Sequence, residues 1–220
     1  MKRLIAFALL LNAALLGVIA WQLVTDNHNT DRQAYAADKD EILKHMSIVE
    51  LPIDDKGGKA KAIRFSGVNV QVVNGAGKTK ELNGLGNLIV GYQETRESGN
   101  DRSGSHNLVV GARNNYSINS GQVVGFHNAI SGELSTVSGG TENTASEGWS
   151  TVSGGGGNTA SAIQATVSGG WKNTASGSQS TVSGGRGNTA SKSWSTVSGG
   201  KSQTTDKTGQ HIPLGLPAKR

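Results

Sequence analysis

A repeat of 15 residues constrains the fold of this chain more than any other feature of its sequence. The pentapeptide Thr-Val-Ser-Gly-Gly recurs at 136–140, 151–155, 166–170, 181–185 and 196–200 without any drift in spacing. Asn-Thr-Ala-Ser recurs in the same phase at 143–146, 158–161, 173–176 and 188–191. Such a repeat is too short for a helical hairpin or a propeller blade, but it suits one coil of a narrow β-solenoid. The chain is therefore predicted to be an all-β, parallel β-solenoid (β-roll).

The alternation of side chains within each predicted strand assigns the interior of the solenoid. Successive residues of a strand point to opposite faces, so Val137 points inward while Thr136 and Ser138 point outward. Ala145 points inward from the second strand of the coil. Two internal stacks are thus predicted: Val137, Val152, Val167, Val182 and Val197, and Ala145, Ala160, Ala175 and Ala190. The Gly-Gly pairs and Asn143 with its copies are predicted to form the corners, with Asn143 adopting a left-handed conformation and bonding its own backbone.

Composition agrees with a thin fold. The chain has 32 Gly, only 5% aromatic residues and no Cys, which excludes disulfides and thiolate metal sites. One Val and one Ala per coil contribute about 2–3 kcal/mol of transfer free energy. Ordering the backbone of a coil costs far more than that. We therefore expect several chains to associate along their sides, and a homotrimer is the predicted assembly.

The residues before the repeats carry an export signal. Residues 1–21 begin with Lys2 and Arg3 and continue as an apolar run, which is typical of a signal peptide cleaved after Ala20. An uncleaved membrane anchor is the alternative, because the run is just long enough to span a bilayer. Residues 22–37 are polar and are predicted to be a linker.

Three further segments complete the predicted domain organisation. Residues 38–75 form a small helix and strand module, residues 76–205 the β-solenoid, and residues 206–220 a polar tail. Within the first of these, a helix is predicted at 38–46, with strands at 47–51, 60–65 and 68–72. A polar insertion within 94–105 is predicted to be a loop that bulges from one coil.

Two motifs of the repeats carry a family resemblance that covers residues 84–205. They are Ser-Thr-Val-Ser-Gly-Gly-x-x-Asn-Thr-Ala-Ser and the shorter Asn107-Leu108-Val109-Val110-Gly111. Both resemble the head repeats of YadA-like trimeric autotransporter adhesins. The resemblance implies a left-handed parallel β-roll that trimerises and binds host or matrix surfaces. The regular period is one residue longer than is usual in that family, and the family's stalk and membrane anchor are not recognisable in this sequence.

The outward positions that vary between repeats are the candidate contact residues. Trp149 and Trp194 share one repeat phase with Gln164 and Gln179. Trp171 belongs to another phase, which it shares with Thr141, Gly156, Arg186 and Lys201. Indole rings do not fit inside a coil that is lined by Val and Ala. We therefore predict that the three Trp side chains contact a sugar or a partner, or pack between protomers.

No pattern of catalytic, metal-ligating or cofactor-binding residues occurs. Residues 74–79 resemble the end of a phosphate-binding loop, but Val72 stands where the first Gly is required, so a plain turn is predicted. His106 and His127 are the histidines that neighbouring coils could bring together as a metal site, although solvated loop residues are the preferred interpretation. The net charge of +5 is spread over single residues, which does not favour nucleic-acid binding. The chain is predicted not to be an enzyme and to need no cofactor.

These observations lead to a prediction of an exported, non-catalytic binding or adhesion protein, or an extracellular structural protein. Its predicted partners are its own copies and an extracellular-matrix, glycan or other cell-surface component. It is predicted to be extracellular or at the cell surface, with a periplasmic or membrane-anchored location as the alternative. The alternative function is that of an ice- or crystal-binding solenoid. That alternative rests on two threonine rows: Thr136, Thr151, Thr166, Thr181 and Thr196, and Thr144, Thr159, Thr174 and Thr189.

Overall fold

The structure, a computed structural model, describes residues 39–214. The predicted signal or anchor at 1–21 and the linker at 22–37 lie outside the described residues. The chain divides into two compact units, with the boundary between Val70 and Gln71.

The first unit contains a short helix followed by a β-hairpin. Residues 39–44 are helical, and β1 (Met46–Pro52) pairs antiparallel with β2 (Lys59–Phe65). The turn between the strands is held by the Asp54 side chain, whose Oδ1 accepts hydrogen bonds from the amides of Lys56 and Gly58 at 2.9 and 2.8 Å. The third predicted strand, at 68–72, is wrong, because this segment is irregular and its side chains are exposed.

The second unit is a parallel β-solenoid. Its strands are β3 (Leu88–Val90), β4 (Leu108–Ala112), β5 (Asn115–Tyr116), β6 (Gln122–Phe126), β7 (Ala129–Ile130), β8 (Thr136–Val137), β9 (Thr144–Ala145), β10 (Thr151–Val152), β11 (Thr159–Ala160), β12 (Thr166–Val167), β13 (Thr174–Ala175), β14 (Thr181–Val182), β15 (Thr189–Ala190), β16 (Thr196–Val197) and β17 (His211–Ile212). They form a nine-stranded sheet in the order β17-β16-β14-β12-β10-β8-β6-β4-β3 and a six-stranded sheet in the order β15-β13-β11-β9-β7-β5. We call these sheets 1 and 2.

The strand register places equivalent residues of successive coils side by side. Val152 pairs with Val137 and Val167, and Ala160 pairs with Ala145 and Ala175. The valine and alanine rows are fully buried in the interior. The fold predicted from the repeat is thereby confirmed.

The interior widens toward the N-terminal end of the solenoid. The alanine row is continued there by Ile130 and then Tyr116, and both side chains are buried. At the other end, β17 pairs with β16 and buries Ile212 below Val197. The solenoid therefore extends beyond residue 205, where the sequence predicted a polar tail.

Buried asparagines join the coils at the corner between the two sheets. In one repeat, the Asn143 amide N–H donates to Oδ1 of Asn128 at 2.8 Å, and Asn143 Nδ2 donates to the carbonyls of Gly139 and Gly155 at 3.0 Å each. The same pattern continues along a row: Asn128, Asn143, Asn158, Asn173 and Asn188. The left-handed residue predicted at Asn143 is instead the one before it, Glu142, with φ of 57°. Asn143 itself lies inside the protein because its amide satisfies the backbone of two coils.

The polar insertion covers the free edge of sheet 2 rather than bulging away from the coil. The amide of Tyr116 in β5 donates to the carbonyl of Asp101 at 2.9 Å. Arg96 donates from Nε to the Arg113 carbonyl at 2.8 Å and from Nη2 to the Asn128 carbonyl at 2.6 Å. Burial, with a smaller contribution from the charge of Arg102, lowers the pKa of Arg96. The insertion thus supplies partners for backbone groups that an edge strand would otherwise expose.

Candidate functional site

Two corners of the coil carry the variable side chains of the solenoid surface. Corner A connects the sheet 1 strand to the sheet 2 strand, and corner B leads back to the sheet 1 strand of the next coil. Corner A consists of the paired row Phe126, Thr141, Gly156, Trp171, Arg186 and Lys201, together with the residue that follows each of them. Corner B consists of Leu134, Trp149, Gln164, Gln179 and Trp194, all with φ between 56° and 58°. Side chains at both corners point away from the buried rows.

At corner B, two of the predicted contact residues project into solvent. Trp149 and Trp194 are 56% and 63% exposed. They are three coils apart, which is about 14 Å along the axis at the usual strand spacing. The row between them is occupied by Gln164 and Gln179, and Nε2 of Gln179 donates to Oε1 of Gln164 at 2.9 Å. Corner B therefore presents two exposed indole rings, with the hydrogen-bonded side chains of Gln164 and Gln179 on the two coils between them.

Trp171, the third predicted contact residue, lies at corner A. Its ring covers the preceding coil at Gly156, where a Cβ would lie only 2.4 Å from Cζ3 of the indole. Nζ of Lys172 lies 5.9 Å from the ring centroid. The ring is nevertheless 42% exposed. The structure thus does not bring the three Trp residues together, because the two repeat phases occupy different corners.

Arg186 and Lys201 share one repeat phase with Trp171 in the sequence, but they were not identified there, together with Lys172, as a basic group at corner A. Lys172, Arg186 and Lys201 are exposed and belong to three successive coils. Trp171 pairs with Arg186, and Arg186 with Lys201, so consecutive positions are about 4.8 Å apart. The three cations are separated by many residues in the sequence and look isolated there. Their shared repeat phase, with Lys172 one residue later, is the signal that could have revealed the group.

The N-terminal end of corner A contains a cleft of about 400 Å³. The guanidinium of Arg113 lies 5.6 Å from the centroid of the Phe126 ring, and the rings of Phe126 and His127 are 6.2 Å apart. The lining residues are Arg96, Glu97, Ser98, Gly99, Arg113, Phe126, His127 and Glu142. Because cations and carboxylates are mixed, this cleft has no strong preference for one sign of charge.

The segment that resembles a phosphate-binding loop is a turn. Oδ1 of Asn74 accepts from the amide of Ala76 at 2.9 Å, and Nδ2 of Asn74 donates to the carbonyl of Glu81 at 2.7 Å. No helix follows it at 80–87, so the N-terminal dipole that binds phosphate is not formed there. The plain turn predicted for 74–79 is what the structure contains.

The two histidines considered for a metal site do not approach each other. His127 belongs to corner A, whereas His106 occupies the repeat position of corner B and contacts the segment at 74–79. Within residues 39–214 there is no group of three or more His, Asp or Glu side chains that could hold a metal ion. In the same range, no helix is long and apolar enough to cross a membrane.

The outer face of sheet 1 changes character along the solenoid. Over β8 to β16 it presents one row of half-buried threonines and one row of serines on either side of the valine row. Over β3, β4 and β6 the same positions are mostly aliphatic. Leu88 and Val90 are each 55% exposed, and Leu108 is 36% exposed. These five residues (Leu88, Val90, Leu108, Val110 and Val124) lie in register on three successive coils and form an aliphatic face.

No protein-family model matches the chain, and no curated protein or solved structure shows significant similarity to it. The parallel solenoid is consistent with the β-roll architecture that the resemblance of the repeats implies.

Proposed function

We propose that this chain is an exported, non-catalytic binding protein that resembles the head of YadA-like adhesins and presents repeated rows of side chains to an extracellular partner. The observation that carries the proposal is the register of the coils, which places equivalent outward positions about 4.8 Å apart along the molecule. A surface of this kind engages an extended or repetitive partner through many weak contacts at once. Export is supported by the apolar run that follows Lys2 and Arg3.

We further propose that the working form is a parallel homotrimer in which the aliphatic face lies between protomers. Water-exposed Leu88, Val90 and Leu108 form a contiguous apolar strip, which is unfavourable on an isolated chain. The interior of each coil buries only one Val and one Ala in the regular repeats. Packing the aliphatic faces together removes further apolar area from water and supplies the stabilisation that the thin core lacks.

The assembly is tested by charge substitution at one repeat position. Leu108→Asp places a carboxylate within the proposed interface and is expected to shift the full chain from trimer to monomer in sedimentation equilibrium. Thr174→Asp is the matched control, because Thr174 is a half-buried, outward-facing residue of sheet 2 that lies outside the proposed interface. A trimer that tolerates Leu108→Asp, or a wild-type chain that is a stable monomer, would contradict this part of the proposal.

Binding is tested by adhesion of beads that carry the full-length chain to surfaces coated with matrix protein or glycan. The double variant Trp149→Ala and Trp194→Ala is expected to reduce retention if the corner B rings are contact residues. An ice- or crystal-binding solenoid is the second candidate, and the paired rows of threonine and serine on sheet 1 favour it. Thermal hysteresis without adhesion would support that candidate and contradict the first.

A further inference from the structure

We propose that corner A binds a linear anionic polysaccharide, one whose sugar residues carry carboxylates or sulfates, through Trp171, Lys172, Arg186 and Lys201. This inference rests on the proposed function, since it names a partner class for an exported binding protein. It concerns a different corner from the one that carries Trp149 and Trp194.

The first argument is the concentration of like charge. Lys172, Arg186 and Lys201 lie on successive coils and span about 10 Å along the axis. None of the three forms an ion pair within residues 39–214, so their charges are available to a ligand. The nearest acidic residue at the corner A positions is Glu142, which is two coils before Lys172. The patch is therefore uniformly positive over three coils.

The second argument is the spacing of the charges. A polyuronate or a sulfated polysaccharide carries one or more anionic groups on most of its sugar residues, and a sugar residue is about as long as the distance between neighbouring coils of a β-solenoid. A chain lying along the corner can thus bring anionic groups within reach of all three cations. The regular backbone holds the Cα atoms of the cations at fixed intervals, so only their side chains lose conformational freedom on binding.

The third argument is the aromatic ring at the end of the basic group. The Trp171 ring lies against Gly156 of the preceding coil, and Trp171 is 42% exposed. Nζ of Lys172 lies 5.9 Å from the same ring. An indole face with an adjacent cation is suited to stacking against the apolar face of a sugar whose substituent is anionic. Binding of duplex nucleic acid usually needs a broader basic surface than this single row, because phosphates of two strands must be contacted.

The test is binding of the full-length chain to immobilised heparin and to polygalacturonate, measured as a function of salt concentration. Affinity is expected to fall as salt rises. The triple variant Lys172→Gln, Arg186→Gln and Lys201→Gln is expected to bind about tenfold more weakly. The matched control, Lys61→Gln, Lys192→Gln and Lys207→Gln, removes the same net charge elsewhere and is expected to keep affinity within about threefold of wild type. Unchanged thermal melting of both variants excludes unfolding as the cause.

Two further measurements separate this partner from others. Trp171→Ala is expected to weaken binding to both polysaccharides and to leave the residual binding to duplex DNA unchanged. Equal weakening by the two triple variants would overturn the inference, because it would show binding governed by net charge alone. Tighter binding to duplex DNA than to either polysaccharide at the same salt would also overturn it. Bead adhesion that persists without polysaccharide binding would contradict this inference while leaving the proposed function intact.

Discussion

At the scale of the residue, a buried serine stands two residues before the valine in four of the five regular coils, and the bonding of its hydroxyl differs from coil to coil. Oγ of Ser195 donates to the carbonyl of Lys192 at 2.6 Å. Within residues 39–214, Oγ of Ser135 and Ser180 is buried without a hydrogen-bond partner. One coil has Ala165 at the same position, also fully buried. An unbonded buried hydroxyl costs free energy, so serine at this position does not stabilise every coil.

Ser180→Ala is therefore expected to raise the free energy of unfolding by up to about 1 kcal/mol, because it removes an unsatisfied group at nearly constant volume. The reverse change, Ala165→Ser, is expected to lower it by a similar amount. Ser195→Ala is the control, since it removes a real hydrogen bond and is expected to destabilise by about 1 kcal/mol. Urea denaturation followed by circular dichroism measures all three. Equal destabilisation by Ser180→Ala and Ser195→Ala would show that the Ser180 hydroxyl is bonded in solution.

At the scale of the element, the backbone of the next coil approaches closely the second glycine of four Gly-Gly pairs: Gly140, Gly155, Gly170 and Gly185. A Cβ on Gly170 would lie 2.2 Å from the carbonyl oxygen of Gly185 in the next coil. Gly187 also has a positive φ, 65° against 88° for Gly170, but the nearest atom to its Cβ is Oγ of Ser202 in the next coil, at 3.9 Å. The two positions share a positive φ and differ in how closely the next coil approaches them.

Gly170→Ala is expected to destabilise the solenoid by about 3 kcal/mol or more, through both the positive φ and the overlap with the next coil. Gly187→Ala is expected to cost only the conformational part, about 1–2 kcal/mol. The difference between their unfolding free energies isolates the contribution of the close approach. If thermal melts of the two variants coincide, backbone strain alone requires glycine here, and the coils can separate to admit a methyl group.

At the scale of the whole molecule, the solenoid is a stack in which each coil contacts only its neighbours. The free energy of unfolding of the solenoid is then a sum of contributions from single coils and from the interfaces between neighbouring coils. In the regular repeats, each of these interfaces includes a contact between two buried valines. Val167 lies near the middle of the valine row, between Val152 and Val182. A defect there interrupts the stack far from either end.

Val167→Asp is expected to cost several kcal/mol, because it buries an unpaired carboxylate among apolar side chains. We expect unfolding and loss of the proposed trimer to occur together in this variant, as followed by circular dichroism and sedimentation velocity. Thr166→Asp is the matched control: it is adjacent, half-buried and outward-facing, and it should retain the fold. If the Val167→Asp variant loses the circular dichroism signal of β-structure but keeps the mass of the trimer, assembly does not depend on the folded coils.

Much of the fold could be predicted from the sequence, because a strict period specifies both the coil length and the register. Val137 and Val152 stack because every strand pairs with its copy one period away, and a shifted register would bring them against polar residues. Asn143 was placed at a corner but given the wrong conformation. Its side chain could be assigned to the interior only once the carbonyls of Gly139 and Gly155 were seen to converge on it.

The 15-residue period alone determined the parallel solenoid, its two buried rows and the outward direction of the Trp side chains. The path of the backbone decided which surface residues meet. Lys172, Arg186 and Lys201 are distant in the sequence, yet stacking brings them to successive positions about 4.8 Å apart. Ile212, which lies outside the motif, completes a coil because its apolar side chain continues the valine row. The physical reason is that the repeat encodes contacts along the buried rows, whereas surface clusters arise from residues that vary freely between repeats.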